Sequence, residues 1–497
     1  MTGSFRKTAA VLSAAAIILS SLTSCALIIN EYDETPAAKT EAYTGGDGTY
    51  AEITTSAPPV GFGPEDVTAA TPDLVSPLSG LPDRDFSDSS LTVAVMSETV
   101  SAVMPDESSP FYAACVMRSD AVTAKYGTIP QFLYYTRTEI TEGIKKSNAS
   151  GAGQIGDFYA DVVEMPAAAS GVLALSGQLI NLYTLPFYSA PEGGSASAGS
   201  LIGRLWFEIS DTTDDPGALL LLLCRRDATE DGCKSLYSAA LSGEFTFEFF
   251  LTEAAKMAPE GSDGKILSVS AATDAGILGE AAVLRSGLTY TADITKGREL
   301  SWTKGDNKAY LTDLIQRIAA ITCTAPADAA AEFNPLGLFN DGQAKFYVCP
   351  LEEVDAGLYS GKTDFALLPL PYGDSPQTGA AIRKNVLCVP VINRRSEMTG
   401  LCLNAYRALS GQWIRDSYLP RFASEQMRDN DSYYTLKIIL EERAAVDFGE
   451  IMCDSIRDLG KLTFEAARGA MTAAEPLSEI TDKAVTALNK LLAQNRK

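Results

Sequence analysis

The chain has no histidine among its 497 residues. Without imidazole, neither a Ser-His-Asp nor a Cys-His catalytic arrangement can be assembled, and zinc sites that need a histidine ligand are excluded. Cysteine occurs nine times but never as Cys-x-x-Cys, so neither a zinc ribbon nor a thioredoxin-like redox site is indicated. Basic residues are scarce: 40 Lys and Arg stand against 63 Asp and Glu, a formal net charge of −23. A surface that acidic repels phosphate backbones and anionic lipid alike, which argues against nucleic acid as a partner. Beyond the amino-terminal segment no apolar run reaches membrane-spanning length. No Walker-type phosphate loop is present. Gly151-Ala152-Gly153-Gln154-Ile155-Gly156 carries a lone G-x-G-x-x-G after a helix-like stretch rather than a strand, so it reads as a loop and no cofactor is expected.

What is present begins with an export signal. Arg6 and Lys7 precede an apolar, alanine-rich run from Ala9 to Leu22, too short to span a bilayer comfortably. Its ending, Leu22-Thr23-Ser24-Cys25, resembles the bacterial lipobox, in which the cysteine thiol receives a diacylglyceryl group and becomes the first mature residue. Two acyl chains supply the membrane affinity that one lacks. The alternative is a plain secretory signal with an incidental cysteine. On the lipobox reading, residues 1–24 are the signal, Cys25 is the lipidation site, and the protein is expected on the extracellular face of the cytoplasmic membrane. Loss of Arg6 and Lys7 then takes the charge from −23 to −25.

Residues 25–89 are rich in Thr, Ala, Pro, Gly and Asp, and read as a flexible, lipid-anchored linker. The remaining eight cysteines (Cys115, Cys224, Cys233, Cys323, Cys349, Cys388, Cys402 and Cys453) sit mostly in apolar runs. Buried free thiols are expected there, with one or two disulfides as the rival.

From Leu91 the pattern alternates between strand and helix. Leu91-Thr92-Val93-Ala94-Val95-Met96 reads as the first core strand. A helix follows from about Ser109 to Lys125, then strands at 131–135 and 161–163, then a small-residue helix from Ala167 to Leu175. Leu219 to Leu223 is a continuous apolar run suited to a strand buried on both faces. Helical stripes recur at Leu311, Leu314, Ile315 and Ile318, at Met398, Leu401, Cys402 and Ala405, and from Ile480 to Leu491. Alternation with short connections predicts an α/β chain with largely parallel sheets, and the length predicts more than one core.

Several segments, in order, resemble the extracellular solute-binding proteins of bacterial ABC importers, the maltose-binding-protein-like family. Phe339-Asn340-Asp341-Gly342-Gln343-Ala344-Lys345-Phe346 is similar to the family's F-x-x-G-x-A-x-F. Asp364 to Pro371 is similar to its hydrophobic segment ending in PLP. Val386 to Ile392 with the helix from Glu397 to Leu409, Gly243 to Glu248, and Tyr418 through Ser432 add further matches. The resemblance implies a two-lobed periplasmic-binding-protein-like (type II) fold with a hinge, closing on a ligand held between the lobes. It places lobe 1 at 90–210 and 373–428 and lobe 2 at 211–372 and 429–497. Departures occur: Cys224-Arg225-Arg226-Asp227 replaces N-K-x-l, Gly379 stands where a tyrosine is expected, and Trp206 lies where the family has a lY strand.

The resemblance implies a small-molecule ligand, a sugar or oligosaccharide, and an ABC permease as membrane partner. A sugar cleft needs flat aromatic faces and carboxylates or amides, so the candidate ligand-binding residues are Glu98, Tyr135, Asp161, Trp206, Asp211 and Tyr372. Trp302 and Trp413 read as structural. The adjacent acid pairs Asp214-Asp215, Glu352-Glu353 and Glu441-Glu442 are poor acid/base partners, since neighbouring residues on a helix point different ways. No catalytic or metal-binding residue is assigned. The alternative to import is a divergent surface-anchored binding or scaffold protein that has lost transport.

Overall fold

The computed structural model describes residues 73–411 and 429–447, apart from 88, 151–157, 192–198, 202, 259–263, 271–274, 287–289, 294–296, 301–305, 324–332, 356–362, 374–377, 380 and 445; beyond these it describes 451, 462, 479–483, 485–486, 489 and 493. Cys25, the signal, most of the linker, the Gly151–Gly156 loop, Trp302, Trp413, Tyr418 and Cys453 lie outside the described residues. No described helix is long and apolar enough to cross a membrane.

Two four-stranded sheets organise the chain. Strands β1 (Ser90–Met96), β2 (Ile129–Tyr135), β3 (Val162–Pro166) and β8 (Asn385–Cys388) form the first, in the order β8-β3-β1-β2. Strands β4 (Leu220–Arg225), β5 (Leu267–Val269), β6 (Phe346–Pro350) and β7 (Phe365–Pro369) form the second, in the order β7-β4-β6-β5. In the first sheet β1, β2 and β3 are parallel and β8 runs the other way. In the second, β4 alone is antiparallel to its neighbours. The two reversed strands are the first that the chain makes after passing from one sheet to the other. The chain leaves each sheet at the end facing its partner, so it must begin the next strand at that same end and run away from it. The expected largely parallel sheets are therefore mixed, for a topological reason.

Period-two alternation explains the layers. In β1, Val93 and Val95 face α1 (Tyr112–Tyr126) and α10 (Ser396–Ala408), while Ala94 and Met96 face α2 (Arg137–Ala149) and α3 (Ala167–Leu175). In β4, Leu220, Leu222 and Cys224 pack with α4 (Lys234–Ser242) and α5 (Phe247–Met257). Leu221 and Leu223 pack on the other face with α8 (Pro335–Asn340) and α11 (Asn430–Glu441). The Leu219–Leu223 run is thus buried on both faces. Between α5 and α8 lie α6 (Ala275–Arg285) and α7 (Asn307–Ile321), and α9 (Leu351–Asp355) follows β6.

Two boundaries differ from those expected. The folded body begins before residue 90: Leu78 is buried, and Leu74, Leu81 and Phe86 pack against the core that joins β1, α1 and α10. Leu74, Leu78 and Leu81 do fall at helical spacing, but Pro77, Gly80 and Pro82 interrupt them and give the stretch the composition of a linker. The segment 429–497, placed wholly in lobe 2 on sequence, divides. Helix α11 packs on the second sheet, whereas Ile451, Leu462 and Ile480 share an apolar cluster with Val163 and Leu173 of the first lobe and Val283 and Leu284 of α6.

The crossings lie side by side. Glu208 bridges to Leu387 and Leu219 to Ala381, and Thr378–Gly379 pairs in parallel with Arg443–Ala444. Arg285 at the end of α6 ties them together. Its guanidinium donates to both carboxylate oxygens of Glu442 at 2.8 Å, to the carbonyl of Leu370 at 2.7 Å and to that of Pro371 at 2.8 Å. Gly373 passes so close that a Cβ there would lie 1.8 Å from the Arg285 carbonyl oxygen. Only glycine fits.

Candidate functional site

A cleft of about 760 Å³ opens where the two sheets face each other. It lies at the carboxyl ends of β1, β5 and β6, the end of an α/β sheet where loops converge and backbone groups are free to meet a ligand.

The first lobe supplies one wall, the loop after β1, through Val100, Asp106, Ser108, Ser109 and Pro110. Buried charges on both sides hold this loop. Glu164 of β3 accepts hydrogen bonds from Ser101 Oγ and the Ala102 amide, both at 2.5 Å, and from Asn385 Nδ2 at 3.0 Å. Burial pushes the Glu164 carboxyl above its ordinary value, against the opposing pull of those donors. On the other side Arg118, fully buried, donates to the Val103 carbonyl at 2.5 Å and to Ser410 Oγ at 2.8 Å, with its guanidinium 5.5 Å from the Tyr406 ring centre.

The second lobe and the crossings supply the rest. Asp215 caps the turn that leads into β4, accepting from the Gly217 amide at 3.1 Å. Ser270 follows β5, and Glu352 and Glu353 open α9 after β6. Arg383, on the return crossing, donates to both oxygens of Glu352 at 2.9 and 2.6 Å and to Asp215 at 2.7 Å. Burial works against the Arg383 charge, but Glu352 and Asp215 outweigh it and hold the guanidinium more firmly protonated than usual. Glu353 accepts from the hydroxyls of Tyr347 and Ser270. Burial, then Glu353, pushes the Tyr347 phenol up.

Four carboxylates (Asp106, Asp215, Glu352, Glu353) and one guanidinium (Arg383) line the cleft, so its formal charge is 1 − 4 = −3. Such a lining accepts hydrogen bonds from hydroxyl or amine donors and repels anions. Among the described residues that line the cleft, Tyr347 is the one aromatic, and it is 1% exposed. No group of three Cys, Asp or Glu residues able to hold a metal occurs among the described residues.

None of the six residues expected at the site from sequence is among those lining the cleft, although Tyr135 and Trp206 share one apolar cluster. Glu98 is nearest in sequence, exposed two residues before Val100. Tyr135 ends β2 half-buried, edge-on to Phe158 at 5.1 Å. Asp161 lies at the opposite end of β3, fully buried; it accepts from the Thr92 amide at 2.9 Å and from the Tyr159 hydroxyl, with Arg395 at 3.4 Å. Trp206 is 6% exposed in the apolar cluster that the first lobe shares with α6 and α7, and Tyr372 is 2% exposed in the second-lobe core with the Arg285 guanidinium 5.0 Å from its ring. Asp211 is half-buried beside Gly411. The cleft residues that sequence reasoning passed over had one usable signal: Glu352 and Glu353 directly follow a strand at its carboxyl end. The Arg383–Asp215 pair had none, since 168 residues separate the partners.

No protein-family model matches the chain, and no curated protein matches it by sequence. Among solved structures, the galacto-N-biose-/lacto-N-biose I-binding protein of the ABC transporter from Bifidobacterium longum superposes with a TM-score of 0.50 at 12% identity, over 81% of this chain and 97% of that one. The sugar-binding protein MalE from Xanthomonas citri gives 0.51 at 12% identity, over 82% and 98%. The chain thus has the α/β, two-lobed fold of these binding proteins, with a cleft where the lobes meet.

Proposed function

We propose that this protein captures a small polar solute, a carbohydrate, in the cleft between its lobes and delivers it to an ABC permease, held at the outer face of the membrane by a lipid on Cys25. The observation that carries the reading is the cleft itself: both lobes line it, at the carboxyl ends of their strands, and its walls are anchored by buried charges. Hydroxyl-rich ligands suit carboxylates that can accept further hydrogen bonds, and about 760 Å³ accommodates an oligosaccharide-sized solute. On this reading the protein binds without turnover, and the lobes close about the crossings.

The test is thermal unfolding across a panel of sugars, peptides and polyamines. A ligand that binds only the native state raises the melting temperature. A rise with a neutral oligosaccharide supports the proposal, and flat curves across the panel sink it. A second reading, a surface scaffold that has lost transport, draws on one observation: the one aromatic among the described lining residues is covered. Flat curves combined with retention of folded protein at the cell surface would favour that reading.

A further inference from the structure

Seven cysteines fall among the described residues, and all are free thiols. Cys115, Cys349, Cys388 and Cys402 lie in apolar cores, as small hydrophobes do. Cys224 and Cys233 differ. Both are fully buried, and their sulfurs are 3.4 Å apart. Cys224 is at the end of β4, and Cys233 is the residue from which α4 starts.

The backbone at Cys233 is unusual in a way that helix capping does not explain. Its φ is +70°, in the left-handed region, directly after Gly232 at +63°. Glycine or asparagine takes that conformation at lower cost, and Ser, Asp or Asn would cap the helix; the Cys233 side chain makes no cap hydrogen bond. What the left-handed turn does is carry the Cys233 Cβ inward, so that Sγ meets Cys224. An observed backbone outlier of this sort points towards a role for the side chain it aims.

We propose that Cys224 and Cys233 form a thiol–disulfide pair that closes by exchange with a small-molecule disulfide, stapling the start of α4 to the end of β4. The Cys233 thiolate attacks the external disulfide R–S–S–R, forming a mixed disulfide and releasing one thiolate RS⁻. Cys224 then loses its proton and attacks the Cys233 sulfur, releasing the second RS⁻. Two protons leave the protein thiols and end on two RSH, so the protein pair is oxidised and R–S–S–R is reduced. Exchange occurs while the 226–232 turn is open, before both sulfurs are covered.

Contact with Cys224, then Thr229 and Arg226, holds the Cys233 thiol below its ordinary value against the effect of burial, whereas burial pushes Cys224 up. The staple sits at the far end of β4 from the cleft, because Cys224 pairs with Phe346 at the start of β6 while the cleft lies beyond Pro350 at its end. Oxidation should therefore stabilise the second lobe without altering solute capture. This inference stands whether or not the cleft reading holds.

Trypsin offers a direct test, because cuts after Arg204, Arg225, Arg226 and Lys234 leave Cys224 and Cys233 on separate peptides, 205–225 and 227–234. The full chain is refolded in a glutathione and glutathione-disulfide mixture, denatured in acid, alkylated with maleimide and digested. A linked peptide pair, and a melting temperature that falls by a few degrees on adding dithiothreitol, are expected. In Cys224→Ser and Cys233→Ser the melting temperature should not respond to reductant. Maleimide on both cysteines of the unsubstituted chain after oxidative refolding overturns the proposal, as does linkage of either to a third cysteine. If neither variant folds, the peptide measurement decides alone.

Discussion

Two arginines brace the junction between the lobes, and the contrast between them shows how burial changes the meaning of the same ion pair. Arg285 and Glu442 are 0% and 1% exposed, and the guanidinium also satisfies two carbonyls of a crossing segment. Arg383 is 22% exposed, shared between Asp215 and Glu352 on the wall of the cleft. A fully buried charge cannot fall back on water, so removing its partner leaves a desolvated ion. A charge at a cleft wall can rehydrate. Arg285 is thus a structural tie, whereas Arg383 is placed where a ligand would compete for or reinforce its contacts.

The largest expected effect follows directly. Arg285→Met leaves Glu442 buried without a counter-ion and should cost about 3–5 kcal/mol of unfolding free energy in urea titration. A loss below about 1 kcal/mol would show that water reaches Glu442 and would break the contrast. The double variant Arg285→Met with Glu442→Leu tests the same idea from the other side: stability should return to within about 1–2 kcal/mol of the unsubstituted protein, since no lone charge remains. Arg383→Met should cost only about 1–2 kcal/mol, because Asp215 and Glu352 can be hydrated. Its larger consequence should be on binding of whichever solute raises the melting temperature, with a loss of affinity that Arg285 variants able to fold do not share.

Glu164 sharpens the comparison as a buried carboxyl held by neutral donors with no arginine at all. Its folded value is raised by burial above the ordinary 4.5. The folded state therefore holds the proton more tightly than the unfolded chain. Its contribution is full below the unfolded value and declines as pH rises through that value towards the raised folded one. Glu442 has the same sign, also through burial, with Arg285 opposing. Glu164→Gln should flatten the fall in stability as pH rises through and above the ordinary carboxyl value, read from melting temperatures across that rise. An unchanged slope would mean the carboxyl ionises in place.

Most of the fold could be read from local pattern. Helix α3 occupies the expected Ala167–Leu175, and the apolar run at Leu219–Leu223 is a two-face-buried strand, because both signals are contained in a few consecutive residues. Strand direction is not contained there. Asp161 opens the strand expected at 161–163, but periodicity does not say which end of a strand faces the partner lobe, and Asp161 is at the far one. Trp206 and Tyr372 show a second gap: a large aromatic near a strand end looks the same in sequence whether its ring is covered by the core or open to a cleft. Cleft residues such as Asp215 and Arg383 are joined only by tertiary folding, and sequence spacing carries no trace of that.

The smallest predicted effect separates the two arginines without any substitution. Raising NaCl from about 0.05 M to about 1 M shortens the screening length from about 14 Å to roughly 3 Å, which weakens ion pairs that solvent can enter and leaves dry ones almost untouched. The Arg383 cluster should lose about half a kcal/mol of coupling over this range, measured as the interaction energy in an Arg383→Met and Asp215→Asn double-mutant cycle. The corresponding cycle for Arg285 and Glu442 should not change with salt beyond its error. Equal salt sensitivity in the two cycles would mean that both arginines sit in comparable dielectric surroundings, and the distinction between a dry structural tie and a wet cleft wall would then have no physical basis.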